Sequence, residues 1–185
     1  HSDEFADVPP GKILRFLRAR DMDGKKAATM LRTHMTWYNK YKPNELHETE
    51  INQKALDSGC WRLLGRTQDG SPVLEVQVGL WNPHEYGKED YVTYVGWFEA
   101  MLERMMQRHT KMIIIFDMAG WKFWHANYVT YIHGLVDIAQ NQYPERLRRV
   151  LMVNAPFIFK GVWAVIRPWL DPKTATKVVF LSEEF

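Results

Sequence analysis

Met112-Ile113-Ile114-Ile115-Phe116 is the stretch whose reading decides the fold. The run lacks the in-and-out alternation of a strand with one wet face, and it is too short to be a helix core. It is expected of a strand covered on both faces within a parallel sheet. Parallel strands need long crossovers, usually helical, so helices are sought on either side. Upstream, Lys88 to Arg108 carries Tyr91, Tyr94, Val95, Phe98, Leu102 and Met105 on one helical stripe. Downstream, Ala126 to Asn141 repeats that spacing with Tyr128, Tyr131, Ile132, Leu135 and Ala139, and leads to a second apolar strand, Val150 to Val153. A helical segment from Phe157 to Leu170 then precedes a last strand, Lys177 to Leu181.

Toward the N-terminus, Cys60 to Thr67 and Pro72 to Val78 read as strands joined through Asp69-Gly70, a hairpin signal. Everything before residue 59 reads helical. Gly11 to Arg20 carries Ile13, Leu14, Phe16 and Leu17, and Asp23 is placed to cap a second helix with Ala27, Leu31, His34, Met35 and Tyr38 on one face. Together these elements predict an α/β domain: a mixed, mainly parallel sheet flanked by helices, with an N-terminal helical lobe over residues 1–58.

The 185 residues suffice for one ordinary domain, and 46% hydrophobic beside 25% charged residues is a globular composition. No apolar run approaches the ~20 residues of a membrane-spanning helix, and the N-terminus lacks the apolar stretch of a signal peptide. The single cysteine, Cys60, excludes an internal disulfide and fits a reducing, cytoplasmic setting. A net charge of +2 offers no global field for nucleic acid, so no such partner is expected, and any membrane attraction must be local. Eight Trp, nine Phe, eight Tyr and nine Met suit either a large core or a cavity for a greasy ligand.

Catalytic motifs mostly fail. No Gly-x-Gly pair exists, so neither the dinucleotide fingerprint nor the phosphate loop can be built. None of Ser2, Ser58, Ser71 and Ser182 has glycine at both −2 and +2, which removes the hydrolase elbow. Cys60 has no basic partner nearby in sequence, and His47-Glu48 lacks a second ligand because position 51 is Ile. His125 and His133 lie eight apart, a spacing poorly suited to sharing a metal. Asp117, closing the central strand, reads first as a cap on the turn that follows. No catalytic or metal residue is therefore assigned. The segment Phe157 to Leu170 is different, because Phe157, Phe159, Val162, Trp163, Ile166 and Trp169 help cover almost its whole circumference with apolar groups. Either it is buried on all sides, or its outer face meets something apolar such as lipid.

Several stretches together resemble the CRAL-TRIO lipid-binding family, in particular its fungal phosphatidylinositol/phosphatidylcholine transfer proteins. They are Asn141-Gln-Tyr-Pro-Glu-Arg-Leu147, Val153-Asn-Ala-Pro-Phe157 and Arg167-Pro-Trp-Leu-Asp-Pro172 with Lys177. Leu14-Arg-Phe-Leu-Arg-Ala-Arg20 and Asp69-Gly-Ser-Pro-Val73 support them. The resemblance implies a non-catalytic carrier over residues 59–185, one compact unit with the lobe, trimmed at both ends relative to the family. It implies no cofactor beyond a bound lipid as cargo, a monomer, and transient contact with membranes. The cavity would be elongated, well over a few hundred Å³, lined by Phe98, Met112 and Ile114, and closed by Phe157 to Leu170 as a gate.

Carried over by position, the headgroup set falls on Arg20, Glu145, Thr174 and Lys177, although Arg20 and Glu145 could equally form an internal ion pair. Asp21 stands where the fungal proteins carry a lysine, and Leu63, Met112 and Ile114 replace the choline-binding positions, which disfavours phosphatidylcholine. Two acyl chains at ~0.8 kcal/mol per buried methylene put on the order of 25 kcal/mol against release into water. Exchange would therefore occur at a membrane, with Phe159, Trp163 and Trp169 entering the interface and Lys160, Arg167 and Lys173 meeting anionic headgroups. Phosphatidylinositol is the expected cargo. The alternatives are a tocopherol, retinoid, sterol or squalene in the same fold, and, from another class, an α/β hydrolase-like enzyme.

Overall fold

The structure, a computed structural model, describes residues 4–106 and 111–181. Helices α1 (Pro10–Arg18) and α2 (Gly24–Tyr41) open the chain. Asp23 caps α2 as its position predicts, its carboxylate accepting from the Lys25 and Lys26 N–H groups at 3.0 Å. The turn between the helices places Asp21 and Met22 at positive φ. Short helix α3 (Gln53–Asp57) leads into the hairpin β1 (Trp61–Arg66) and β2 (Pro72–Gln77). There the Thr67 carbonyl accepts from the Gly70 N–H at 2.9 Å, and Gly70 takes a φ of 82° that glycine adopts without penalty.

Helix α4 (Lys88–Met105) crosses to β3 (Met112–Asp117), α5 (Val129–Asp137) to β4 (Leu147–Val153), and α6 (Phe159–Ile166) with α7 (Pro172–Ala175) to β5 (Val178–Phe180). The end expected for α4 at Arg108 falls outside the described residues. The helix expected over Ala126 to Asn141 is a composite: a 3-10 segment (Phe123–Tyr128), α5, and a π-helical turn (Ile138–Gln142). The sheet order is β1-β2-β3-β4-β5, antiparallel at the hairpin and parallel thereafter.

The order is sequential, and successive crossovers of one hand place their helices on one side of a sheet. That geometry corrects the expectation for the central strand. Met112 and Ile114 are buried, but Ile113 and Ile115 are only half-buried, as are their neighbours Val73, Leu151 and Val179 on the same face. Among the described residues, one sheet face meets the helices and the other does not.

The lobe is fastened to this body by charge as well as by apolar contact. Phe16, Met30 and Leu31 form a small core of their own. Arg15 and Arg146 both donate to the Glu103 carboxylate, Arg146 at 3.1 and 3.2 Å. Beside this triad, the buried His34 takes a hydrogen bond from the Lys12 ammonium at 3.2 Å and donates through Nδ1 to the Gln142 amide oxygen at 3.1 Å. Burial, with Lys12 second, lowers its pKa to about 4.

Removing Glu103 leaves two mostly buried guanidiniums without a counter-charge. Glu103→Ala should cost about 3–5 kcal/mol in urea unfolding, whereas Glu89→Ala, at the exposed Lys40–Glu89 pair, should stay within about 0.5 kcal/mol. His34 is held neutral when folded and gains its proton near pH 6.5 when unfolded, so the unfolded chain binds more protons between those values. Stability should accordingly fall as pH drops from about 6.5 toward 4, by up to about 3 kcal/mol. The His34→Gln variant should lose that slope when its unfolding is compared with wild type at pH 7 and pH 4.5.

Candidate functional site

The side chains that β2, β3, β4 and β5 turn toward the helices are large and aliphatic, and the helices do not fill the space above them. A partly open cavity of about 160 Å³ remains, floored by Val76, Ile114, Phe116, Val150, Met152 and Val178. Its sides come from Tyr91 on α4 and Val129, Ile132, Leu135 and Val136 on α5, and its roof from Phe159, Val162, Trp163 and Ile166 on α6, continued by Leu170. The volume is smaller than the elongated space expected. Helix α6 is seated on the floor: Phe159 and Ile166 are 5% and 7% exposed, and Trp163 lies edge-on to Phe180 with centroids 5.3 Å apart. Apolar walls close-pack wherever they are free to approach.

Phe159, Val162, Trp163, Ile166 and Ile114 line this cavity, and other candidates do not. Met112 is buried in the core before a register shift in β3, and Phe98 is packed against Trp61, so neither lines the cavity. Trp169 sits edge-on to His133 outside it, and Phe157 is 65% exposed. The exposed apolar groups here are consequently Val165 on α6 and Phe157 and Ile158 just before it, all more than half exposed, in place of Phe159 and Trp163, and they stand beside exposed Lys160, Gly161, Ala164 and Arg167. Helical spacing explains this inversion: residues 159, 162, 163 and 166 share one stripe, and 158 and 165 lie on a flank about 100° round the helix from it.

The segment after α6 is tied down by one side chain. Gln140, in the π-helical turn, donates to the Trp169 carbonyl at 3.0 Å and accepts from the Asp171 N–H at 2.6 Å. Before α6, Asn154, at a positive φ of 54°, donates to the Asp117 carboxylate at 2.8 Å. Asp117 also accepts from the Ala119 N–H at 2.9 Å, which is the turn-capping role its position suggests.

The proposed headgroup residues divide. Glu145, at a positive φ of 62°, accepts from the Lys111 ammonium at 3.1 Å and not from Arg20. Lys177, half-buried and shifted down by that burial, feels the Glu145 carboxylate and the Lys111 and Lys173 ammoniums. Thr174 lines the cavity, but its hydroxyl proton goes to Asp171 at 2.6 Å. Glu145, Thr174 and Lys177 thus share one rim at the amino ends of β3, β4 and β5. Arg20 stands apart, donating to Ala19 O at 3.0 Å and Asn141 Oδ1 at 3.4 Å, in an open polar pocket of about 540 Å³ with Lys25 and Lys26. Asp21 pairs with Lys173. Sequence reasoning missed Lys111 at this rim; a cation directly before the apolar run was the available signal.

Two ionisable groups lie against the cavity in unusual states. Burial pushes the Cys60 thiol up to about 12, keeping it a poor nucleophile that donates weakly to Gln77 O. Burial, with Glu103 second, raises Glu99 to about 8, so its carboxyl is mostly protonated at neutral pH.

Comparison with known proteins gives this geometry its context. The CRAL/TRIO domain matches residues 56–185. The chain belongs to the CRAL/TRIO domain family. It is 26% identical over 189 residues to the phosphatidylinositol transfer protein CSR1 of Eremothecium gossypii, covering 94% of this chain and 42% of that one. The SEC14 cytosolic factor of Yarrowia lipolytica is 29% identical, covering 90% of this chain and 37% of its own length. This chain therefore spans about two fifths of these curated relatives. The crystal structure of Sfh5 superposes with a TM-score of 0.76 at 17% identity, covering 97% of this chain and 68% of Sfh5, which supports the shared CRAL/TRIO fold.

If Gln140 holds the segment after α6, Gln140→Ala should speed hydrogen exchange of the Asp171 amide by about tenfold or more while costing about 1 kcal/mol of global stability. Amide exchange read by NMR checks both, and an unchanged Asp171 rate would show that the anchor does not hold.

Proposed function

We propose that this chain encloses a membrane lipid, with phosphatidylinositol as the favoured cargo, and exchanges it at membrane surfaces without altering it chemically. The observation that carries this reading is the division of α6: one stripe roofs an apolar cavity, while Val165 and, just before the helix, Phe157 and Ile158 present apolar groups to the outside beside Lys160 and Arg167. A purely structural helix buries its apolar residues and turns polar ones outward. A gate that opens against lipid needs apolar groups on both sides, so that the displaced helix exchanges one greasy surface for another.

The rim supports the choice of cargo. Lys111, Lys173 and Lys177 surround Glu145 at the amino edge of the parallel strands, beside the cavity-lining Thr174. Ammoniums there can neutralise a phosphodiester, and Glu145 can accept from inositol hydroxyls. Two relatives, a phosphatidylinositol transfer protein and a SEC14 cytosolic factor, point the same way. Because the cavity is small when the gate is seated, loading requires α6 to move, with the Gln140 and Asn154 anchors as the positions about which it turns.

Vesicle-to-vesicle exchange of labelled lipid tests the reading. Lys177→Ala should lower phosphatidylinositol exchange at least fivefold and leave any phosphatidylcholine exchange unchanged. Val165→Asp should slow exchange of every cargo about tenfold while shifting stability by no more than about 0.5 kcal/mol, since the site is exposed. Absence of exchange by the wild-type chain, with no lipid extracted from it, would overturn the proposal.

A further inference from the structure

Trp81 Nε1 and His125 Nε2 are buried and have no hydrogen-bond partner among the described residues, and both residues line the cavity. They share one corner, with ring centroids 5.8 Å apart and planes 20° from parallel. Each follows the carboxyl end of one of two neighbouring parallel strands, Trp81 after β2 and His125 after β3. The two segments meet backbone to backbone: a Cβ built on Gly79 would fall 2.5 Å from the Ala119 carbonyl oxygen, so only glycine permits this approach.

The imidazole is fixed in place. Trp124 stacks on it with centroids 3.8 Å apart, and its Nδ1 faces the Lys122 N–H at 2.8 Å. Nδ1 also lies 2.9 Å from the Lys122 carbonyl, but that carbonyl already accepts from the His125 main-chain N–H at 2.9 Å, and a proton on Nδ1 would be set against the Lys122 N–H. Nδ1 is therefore best used as the acceptor for the Lys122 N–H, and the proton of the neutral ring resides on Nε2. That leaves Nε2–H as a donor with nothing to donate to. The Trp81 indole N–H is a second; it lies near the Tyr86 hydroxyl without the geometry of a hydrogen bond. Buried donors in native structures are paired, by protein, water or ligand.

We infer that Trp81 and His125 form a polar pole of the cavity that donates hydrogen bonds to a neutral oxygen of the cargo, the hydroxyl of a long-chain alcohol or the carbonyl of an ester. Neutrality follows from the walls, which include no Lys or Arg to balance a carboxylate or phosphate. The inference rests on the carrier reading above and adds orientation. The six residues of β3, at about 3.3 Å each, set this pole roughly 20 Å from the Lys111–Glu145 rim. A phosphate held at that rim and an oxygen held at Trp81 and His125 are thus separate demands on the cargo.

Binding of 1-hexadecanol, methyl palmitate and hexadecane to the delipidated chain, followed by tryptophan fluorescence, tests this. Wild type should bind the alcohol or the ester at least tenfold tighter than the hydrocarbon, and whichever is preferred identifies hydroxyl or carbonyl as the partner. His125→Phe and Trp81→Phe keep a ring and remove the N–H, and each should reduce the preference toward unity while hexadecane still binds. In wild type, the His125 Nε2 resonance in imidazole-selective ¹⁵N spectra should move on adding the preferred probe and not on adding hexadecane, a readout independent of the variants. Equal affinity for the three probes, or a preference that survives both variants, overturns the inference. If phosphatidylinositol exchange persists in that case, the carrier reading stands without it. If neither the probes nor phosphatidylinositol bind, both fall.

Discussion

The one-sided covering of the sheet is the constraint from which the rest of this structure follows. Val76, Ile114, Phe116, Val150, Met152 and Val178 form a continuous apolar floor that water cannot be allowed to wet. Helices α4 and α5 wall it, and α6 is what remains to close it. A short helix of eight residues cannot interlock with a wide floor as a long one does, so part of the space stays open beneath it. The cavity is thus a consequence of topology: three crossovers of one hand supply cover to one face only, and the last of them is the smallest.

Polar groups are distributed around that oily interior with a clear division of labour. Charges are kept at the amino edge, where Lys111, Lys177 and Glu145 reach solvent and balance one another. Neutral donors are kept at the carboxyl edge, clamped among tryptophans. Glu99, between them on α4, is raised by burial to about 8 and so behaves as a neutral group under ordinary conditions. Fixed charge in a small apolar cavity would be costly to desolvate, and none is placed there at neutral pH among the described residues. The N-terminal lobe contributes from outside, through the Arg15–Glu103–Arg146 triad and the His34–Gln142 contact that steadies the same π-helical turn from which Gln140 holds the segment after α6.

Much of this was legible before any coordinates. Asp23 as a cap, Asp69-Gly70 as a hairpin turn, and the apolar run at Met112 as a parallel strand are all local signals, because the conformations they specify are set by near neighbours. The residues 141–147 and 167–172 carried the family resemblance in the same way. Where sequence reasoning erred, the deciding partner was distant. Ile113 and Ile115 look buried in a run without alternation, yet their exposure depends on whether any element crosses the second face. Phe157 and Phe159 are equivalent in composition, and only the docking of α6 sends one to solvent and the other to the floor. Arg20 and Glu145 were candidates for one ion pair, but Asn141 and Lys111 intervene from elsewhere in the chain.

By itself, then, the sequence determined the class of fold, the order of its elements and the presence of a helix too apolar for an ordinary surface. Those properties follow from periodicity and turn chemistry, which act over a few residues. Only the tertiary structure decided which stripe of that helix faces inward, which cations meet at the rim, and that Trp81 and His125 converge on one corner with their donors unspent. Such outcomes depend on contacts between segments tens of residues apart, and a hydrogen bond left unmade is visible only once every possible partner has been placed.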